Sequence, residues 1–450
     1  MYFKKFPLDP LDPRPLEPSR NEFIMEIVIV GGGPAGFQAA LHCRKCWPQK
    51  SVVLIEAEGT VGYCRPMLPQ FMSGQVEEEK LLYLKPEEGP LLKILTGVKV
   101  QSLDRKTQTL HLENQEKIAY ERLILAPGGR PIIPRIEGLD SLRGIFPVRN
   151  LPEAQKIREW ITKDRQIVVL GGGLVGVKTA AYLRVSGFQV SLVEKEEHLL
   201  PQALNGYAAG VVEDHFRRIG IRLFLGQTLK YADGEKGFLR AVNLDGNGIP
   251  CETLLIAVGS VPHVAFLESS GLLENGQLLV SPALQTRDAK IFAAGDAVTI
   301  SASEGKKLTP WTWPQAVSQG KLAAENFYPP NPLALKLLTR PNSMNLQGLS
   351  IAMLGAQVEG SEEISYGKPA EGSLRQAFLL QGRMAGGALL GDITAAGPLH
   401  YLMFNGREAR SEVNKLIKPP LQAIPPNLQN FGKRRKQARF FPAMEDKKQC

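Results

Sequence analysis

The chain has no apolar run near the roughly 18 to 20 residues needed to cross a bilayer, and its N-terminus has no basic region followed by an apolar one. Neither a membrane span nor a secretory leader is expected, and the sequence reads as cytoplasmic. Cysteine is scarce: five residues, an odd number at scattered positions, argue for reduced thiols and against a disulfide framework. Cys43 and Cys46 form a C-x-x-C pair, but at the end of an expected helix, where the dipole disfavours a thiolate, so packing is favoured over redox or metal chemistry. The six histidines have no ligand-like spacing, and no metal site is expected. With 43% hydrophobic and 22% charged residues, the 450-residue chain is globular material for two or three domains.

What is present is glycine in two ordered clusters. The apolar run Ile27 to Val30 reads as a buried parallel strand that passes into Gly31, Gly33 and Gly36 at G-x-G-x-x-G spacing, with Pro34 and Ala35 between them. Such glycines permit a tight turn and close approach of a pyrophosphate, while the following helix offers free N–H donors and its positive dipole end. A helix from there should stop before Pro48. The next strand, Ser51 to Ile55, ends at Glu56, about 20 residues on, where a carboxylate can accept from both hydroxyls of a ribose. Residues 97 to 124 alternate as an antiparallel meander and lead into LILAPGGRP, with Ala126, Pro127 and Gly128 at the break. The pattern then repeats. Ile167 to Leu170 enters Gly171, Gly173 and Gly176 around Leu174 and Val175, the strand Val190 to Val193 ends at Glu194, and LLIAVGSVP carries Gly259. A short strand before Gly295 and Asp296 follows.

These blocks set the expected organisation: a proline-rich leader over 1–24, a discontinuous first dinucleotide unit over 25–143 and 263–326, and a second over 144–262. A C-terminal α+β domain is expected over 327–418 and a basic tail over 419–450, within an α/β fold of two Rossmann-like units. Met25 is either a natural start or follows an accessory arm. Prolines between 327 and 342 read as a linker. Of the net charge of +9, +5 lies in residues 431 to 450, so the folded body is only mildly basic. That tail has no nucleic-acid-binding motif and reads as a solvated end or an arm for an acidic electron carrier.

In their order, GGGPAG with Glu56, LILAPGGRP, GGGLVG with Glu194, LLIAVGSVP and IFAAGDA resemble the pyridine nucleotide-disulfide oxidoreductases, over nearly the whole folded body. The resemblance implies FAD on the first unit and NADH or NADPH on the second. It places Gly31, Gly33 and Gly36 at the FAD pyrophosphate, Glu56 at its ribose, Val100 by the adenine, Ala126 to Gly128 near the cofactor, and Asp296 at the ribityl or phosphate region. The segment GYCRPMLPQFMSG lacks the C-x-x-x-x-C dithiol of the disulfide reductases and is similar to the Y-x-R-P-x-L stretch of NADH:rubredoxin and NADH:ferredoxin reductases and NADH oxidases. Arg65 would then stand close to the flavin, while Cys64 is alone, either a redox group or a half-buried thiol.

Glu194 favours NADH over NADPH, because a carboxylate accepts from a free 2′-hydroxyl and repels a 2′-phosphate; Lys195 works the other way. Most relatives place Glu two residues after the third glycine; here Lys178 stands there, about 200° around the helix from Gly176, turned away from its strand and toward the flavin. Lys178, Arg65 and Cys64 are the candidate catalytic residues. Trp313 and Gln315, in a stretch that also holds Trp311, resemble the start of the family helix that runs along the flavin. His400 lies where disulfide reductases carry a catalytic histidine, but its surroundings do not match theirs. The function implied is hydride transfer from NADH to FAD, then electron delivery to ferredoxin, rubredoxin or an iron–sulfur subunit. The alternatives are a flavoprotein subunit of a larger iron–sulfur complex and a flavin-based sensor. Relatives suggest a possible homodimer through the C-terminal domain.

Overall fold

In the computed structural model, the described residues are 24–83, 89–301, 307–309, 312–328, 332–335 and 342–418. The basic tail, nearly all of the proline-rich leader, Trp311 and most of the proline linker lie outside them.

The first unit is built on strand Ile24–Val30, which pairs in parallel with Val52–Glu56 on one side and Lys117–Leu125 on the other, Val28 facing Val53 and Leu123. Leu92–Thr96 extends the sheet beyond Val52–Glu56, and Ile291–Ala293 returns from late in the sequence to pair with Lys117–Leu125. Val52–Glu56 is buried at every position, which is why it reads as an unbroken apolar run rather than an alternating one. The meander is present as Val100–Asp104, Thr109–Leu112 and Lys117–Leu125, antiparallel throughout. Helix Pro34–Cys46 starts on its proline and stops before Pro48.

The second unit repeats the plan. Arg222–Phe224, Gln189–Val193, Gln166–Leu170, Thr253–Ile256 and Ile145–Pro147 form a parallel sheet in that spatial order. Its meander, Tyr231–Glu235, Phe238–Asn243 and Gly248–Pro250, forms a separate sheet. Ile136, Leu139 and Leu142 pack with Ala232 and Leu239 of that meander, and a Cβ on Gly138 would stand 2.2 Å from the Ala232 carbonyl. The boundary expected after residue 143 thus falls inside this packing, because Leu139, buried, and Ile136 and Leu142, partly buried, hold the connecting segment against the second unit.

Two features tie the units together. Gly129–Pro131 pairs antiparallel with Ser260–Pro262, each leaving the turn at the end of its own sheet. The short helix Leu68–Met72 buries Leu68, Phe71 and Met72 in one cluster with Leu151, Ala154, Val177 and Ala181 of the second unit.

The C-terminal sheet is antiparallel, ordered Asn342–Asn345, Ser350–Gly355, Arg383–Leu390, Ser373–Leu380, Glu362–Lys368. Strand Ser350–Gly355 shows its two-residue period directly. Ile351 and Met353 join the core of the second unit, while Ala352 and Leu354 face helices Ala396–Asn405 and Arg410–Ile417. His400 lies on the first of these helices. Among the described residues no helix is long and apolar enough to cross a membrane.

Candidate functional site

The two glycine turns are near copies. Gly31 has φ of +99° and Gly171 +110°, which only glycine adopts without strain. A Cβ on Gly31 would lie 2.1 Å from the Ala126 carbonyl oxygen, and one on Gly171 2.6 Å from that of Ala257. A Cβ on Gly36 would stand 1.8 Å from Gly31 O, and one on Gly176 the same 1.8 Å from Gly171 O. The middle glycines differ in kind: around a Cβ on Gly33 or Gly173 there is nothing within 4 Å. Each is the N-cap of its helix, with no side-chain cap and no acid in the first turn, so no side chain of the cap or first turn competes for the terminal N–H donors. This cradle suits a pyrophosphate, which needs close backbone approach and unpaired donors.

The acids at the strand ends match as well. Glu56 accepts from the N–H groups of Gly32 and Glu58, and Glu194 from those of Gly172 and Glu196. Both are buried, 7% exposed, and hold their own glycine turns in place. Burial pushes the Glu56 carboxyl above the usual carboxylate range, and the charge of Glu58 adds to this against the two N–H donors. The turn at Gly97 and Val98, two residues before Val100, donates to the carbonyls of Glu58 and Glu56. Lys195 is exposed and pairs with Glu196 at 3.2 Å.

Glu58 also organises the Y-x-R-P segment. Tyr63 donates its hydroxyl to Glu58 at 2.7 Å, Arg65 donates to the same carboxylate at 2.7 Å and to the Tyr63 oxygen at 3.2 Å, and Leu151 N–H donates to Tyr63 at 3.2 Å. Burial works against the charge of Arg65, but Tyr63, Glu58 and Glu56 outweigh it and hold the guanidinium firmly protonated. Arg65 is therefore a fixed cation with a fixed counter-ion. Its Nη1 would lie 3.8 Å from a Cβ on Gly128, itself at φ of +69°.

Lys178 crosses between the units. Its ammonium donates to the Pro66 carbonyl and stands 5.8 Å over the Tyr182 ring. Burial holds its pKa below the ordinary lysine value and the Cys64 thiol works the other way; burial raises the Cys64 thiol, with Lys178 lowering it. Lys178 thus meets the Cys64–Met67 loop of the first unit.

The last part arrives from late in the chain. Gly295 N–H donates to Gln319 Oε1 at 2.7 Å, and a Cβ on Gly320 would stand 2.0 Å from the Ala35 carbonyl, so helix Trp313–Glu325 crosses the first glycine helix in backbone contact. Gln315 Oε1, Gln319 Nε2 and Thr312 Oγ1 are buried with no hydrogen-bond partner among the described residues, the pattern left where a polar ligand belongs. Trp313 packs edge-on against Tyr83 at 5.5 Å, and Tyr83 against Phe37 at 5.8 Å. Asp296 accepts from Arg149 at 2.9 Å. At the second unit, Gly259 has φ of +105° and accepts from Ile132 N–H at 3.0 Å, and its neighbour Val258 is exposed, as are Leu174 and Val175 at the start of the second glycine helix.

Sequence reasoning missed Glu58 and Arg149, and it named Gln319 on the helix expected along the flavin without including it among the site residues. The signal for Glu58 was available: Glu56-Ala57-Glu58 and Glu194-Lys195-Glu196 repeat one E-x-E pattern at both strand ends. Arg149, 147 positions from Asp296, had none.

Two glycine cradles, each closed by an acid on the adjoining strand, define a protein with two dinucleotide-binding units. A family model described as pyridine nucleotide-disulphide oxidoreductase matches residues 25–320, and the chain belongs to that family of flavoprotein oxidoreductases. It is similar to a rubredoxin-NAD(+) reductase of Alcanivorax borkumensis, 29% identical over 376 residues that cover 81% of this chain and 93% of the relative. An NADH oxidase of Methanocaldococcus jannaschii is 28% identical over 324 residues, covering 68% of this chain and 72% of its own. In fold, it matches a chain from the crystal structure of the covalent putidaredoxin reductase–putidaredoxin complex with a TM-score of 0.82 at 21% identity, over 92% of this chain and 99% of that one.

Proposed function

We propose that the protein is an FAD-dependent NADH:acceptor oxidoreductase that passes electrons to a protein carrier. The observation that carries this reading is the paired open cradles at Gly33 and Gly173, each beneath a helix N-terminus and beside a carboxylate held by its own turn. Gly31, Gly33, Gly36, Glu56, Val100, Ala126 to Gly128, Gly295 and Asp296 would hold FAD, with Trp313 and Gln315 beside it. Gly171, Gly173 to Gly176, Glu194 and Gly259 would hold the nicotinamide nucleotide. Bound there, the flavin supplies acceptance of a hydride from the nicotinamide and its release as electrons.

The residues of this chain position and shield. NADH is favoured over NADPH because Glu194 is joined by Glu196, and Lys195 is already paired to that second acid. Arg65 brings a cation balanced by Glu58, so it orients without adding net charge, whereas the Lys178 ammonium donates to the Pro66 carbonyl. With Cys64 the one cysteine in its segment, the chain has no dithiol there to relay electrons and the acceptor is external, with rubredoxin-like or ferredoxin-like carriers of acidic surface fitting the mildly basic body.

The test is anaerobic addition of NADH and, separately, NADPH to the FAD-loaded protein, followed by rubredoxin, ferredoxin or oxygen. Rapid bleaching by NADH and reoxidation by an iron–sulfur carrier is the expected result. A protein that takes up no FAD, or whose flavin NADH leaves oxidised, refutes the proposal; a reduced complex that no carrier reoxidises would favour a sensor.

A further inference from the structure

We infer that Glu213 is a positioning residue for the second glycine turn, which it holds in place through Leu199 and the strained backbone at Leu200. This inference rests on the assignment of the nicotinamide nucleotide to the second unit.

The two glycine turns, near copies otherwise, differ in what braces them. In the first, a Cβ on Gly32 would stand 2.4 Å from Val61 Cγ1, and the residue after Val61 is Gly62, with φ of +70°. In the second, a Cβ on Gly172 would stand 2.8 Å from Leu199 Cδ2, and the residue after Leu199 is Leu200, with φ of +56°. The same left-handed position is thus filled by glycine in one unit and, in the other, by a leucine only 2% exposed, for which that conformation is strained. Leu200 is tied on both sides of its strained torsions. Its N–H donates to the Gly172 carbonyl at 2.9 Å, and its own carbonyl accepts from Ala203 and Leu204 N–H at 2.9 and 3.0 Å. Such strain persists only where the surroundings over-determine the backbone.

Glu213 supplies the remaining tie. It lies on helix Gly206–Arg218 among the buried residues Ala209, Val212 and Phe216, with its side chain 11% exposed. A carboxylate on an apolar face needs a partner. Oε1 accepts from Leu199 N–H at 3.2 Å, while Oε2 stands 3.5 Å from Arg217 Nη2, one turn on. The helix is a firm base for this bond, since Asn205 caps its start by accepting from Ala208 N–H at 3.0 Å and the His215 ring meets the Leu346 carbonyl, just past strand Asn342–Asn345, at 2.7 Å. Leu199, fully buried, therefore has its N–H held from the helix and its side chain set against Gly172. Gly172 N–H donates in turn to Glu194. Glu213, Leu199, Leu200 and Gly172 form one path that fixes the turn from which the second cradle opens, and Glu213 acts at its far end.

The experiment uses the FAD-loaded protein and the variants E213L, E213A and E213Q. Equilibrium binding of NAD+ is measured by calorimetry, the apparent Kd and limiting rate of flavin reduction by NADH in stopped flow, and hydrogen exchange over residues 199–204 by mass spectrometry. E213L and E213A are expected to weaken NAD+ binding and to raise the apparent NADH Kd about tenfold, the scale of one lost buried hydrogen bond, while FAD retention and the limiting rate hold. E213Q, whose amide oxygen can still accept from Leu199 N–H, keeps the wild-type affinity and slow exchange. A merely structural role would lower FAD retention and the limiting rate along with affinity, and that result overturns the inference. So does an E213L or E213A protein that binds NAD+ as tightly as wild type, or an E213Q protein as weak as E213L. Where neither disrupting variant folds, fast exchange of the Leu199 amide in the wild type overturns it. A wild-type protein whose FAD-loaded form neither binds NAD+ nor is reduced by NADH overturns the nucleotide assignment, and the inference with it.

Discussion

Replacing single glycines by alanine separates the cradles from the scaffold that carries them. Gly33 sits at φ of −67° and ψ of −174°, a conformation any residue adopts, and its Cβ direction is empty to 4 Å. Alanine there loses some N-cap preference but narrows the unfolded ensemble; the two effects are each about 0.5 to 1 kcal/mol and opposite in sign. Apoprotein stability should change by no more than about 0.5 kcal/mol. FAD binding should weaken by about 2 kcal/mol, near thirtyfold, because the methyl group fills the space through which a pyrophosphate approaches the backbone. Gly36→Ala reverses the pattern: its Cβ would be 1.8 Å from Gly31 O, a backbone atom that cannot rotate away, so the fold should lose about 3 kcal/mol. Gly173→Ala, at φ of −76° with the same open space, should leave FAD retention intact while raising the NADH KM. Urea unfolding of the apoproteins, FAD titration and NADH kinetics measure all three. The reasoning fails if Gly33→Ala binds FAD within threefold of wild type, or if Gly36→Ala unfolds no earlier than Gly33→Ala.

Lys178→Met should slow alkylation of Cys64 by iodoacetamide at fixed pH, read site by site by mass spectrometry. The ammonium lowers a thiol that burial has raised, so its loss leaves less of the reactive thiolate, and faster alkylation would contradict the assignment. Asp392 is held below the ordinary carboxylate range, first by the Thr394 hydroxyl and also by the Thr394 N–H and Arg375, against burial. Its contribution is fully present above the unfolded-state pKa, near 4, and is lost as pH falls through the lowered folded-state value. Asp392→Asn should therefore cost about 1 kcal/mol at pH 7, because the Asp392 side chain is 43% exposed and solvent screens the pair with Arg375, and less near pH 2. Equal losses at both pH values in urea titrations would refute this.

Much of the first-order architecture was legible because it is carried by local rules. A buried parallel strand must be apolar at every position, and a turn with positive φ and a carbonyl within 2.6 Å must be glycine, so Gly31 and Gly171 announce themselves. Glu56 and Glu194 were expected at the strand ends for the same reason, as fixed offsets within one βαβ unit set those positions. Packing between distant segments was not legible. Ile136, Leu139 and Leu142 have the same apolar character whichever unit buries them, and only the tertiary structure sends them to the second meander.

Charge compensation was equally hidden. Read alone, Arg65 is a free cation beside the expected flavin; folded, it shares Glu58 with Tyr63. Helical period set the face on which Lys178 was expected, but that its ammonium would meet Pro66 depended on how two units dock. The sequence by itself determined two dinucleotide cradles, their acids and the lack of a paired cysteine near the first, because backbone conformation and strand burial dictate residue type over a few tens of positions. Only the tertiary structure decided which charges are balanced and by whom, because an ion pair such as Arg149 with Asp296 depends on a few ångströms between segments that no local pattern relates.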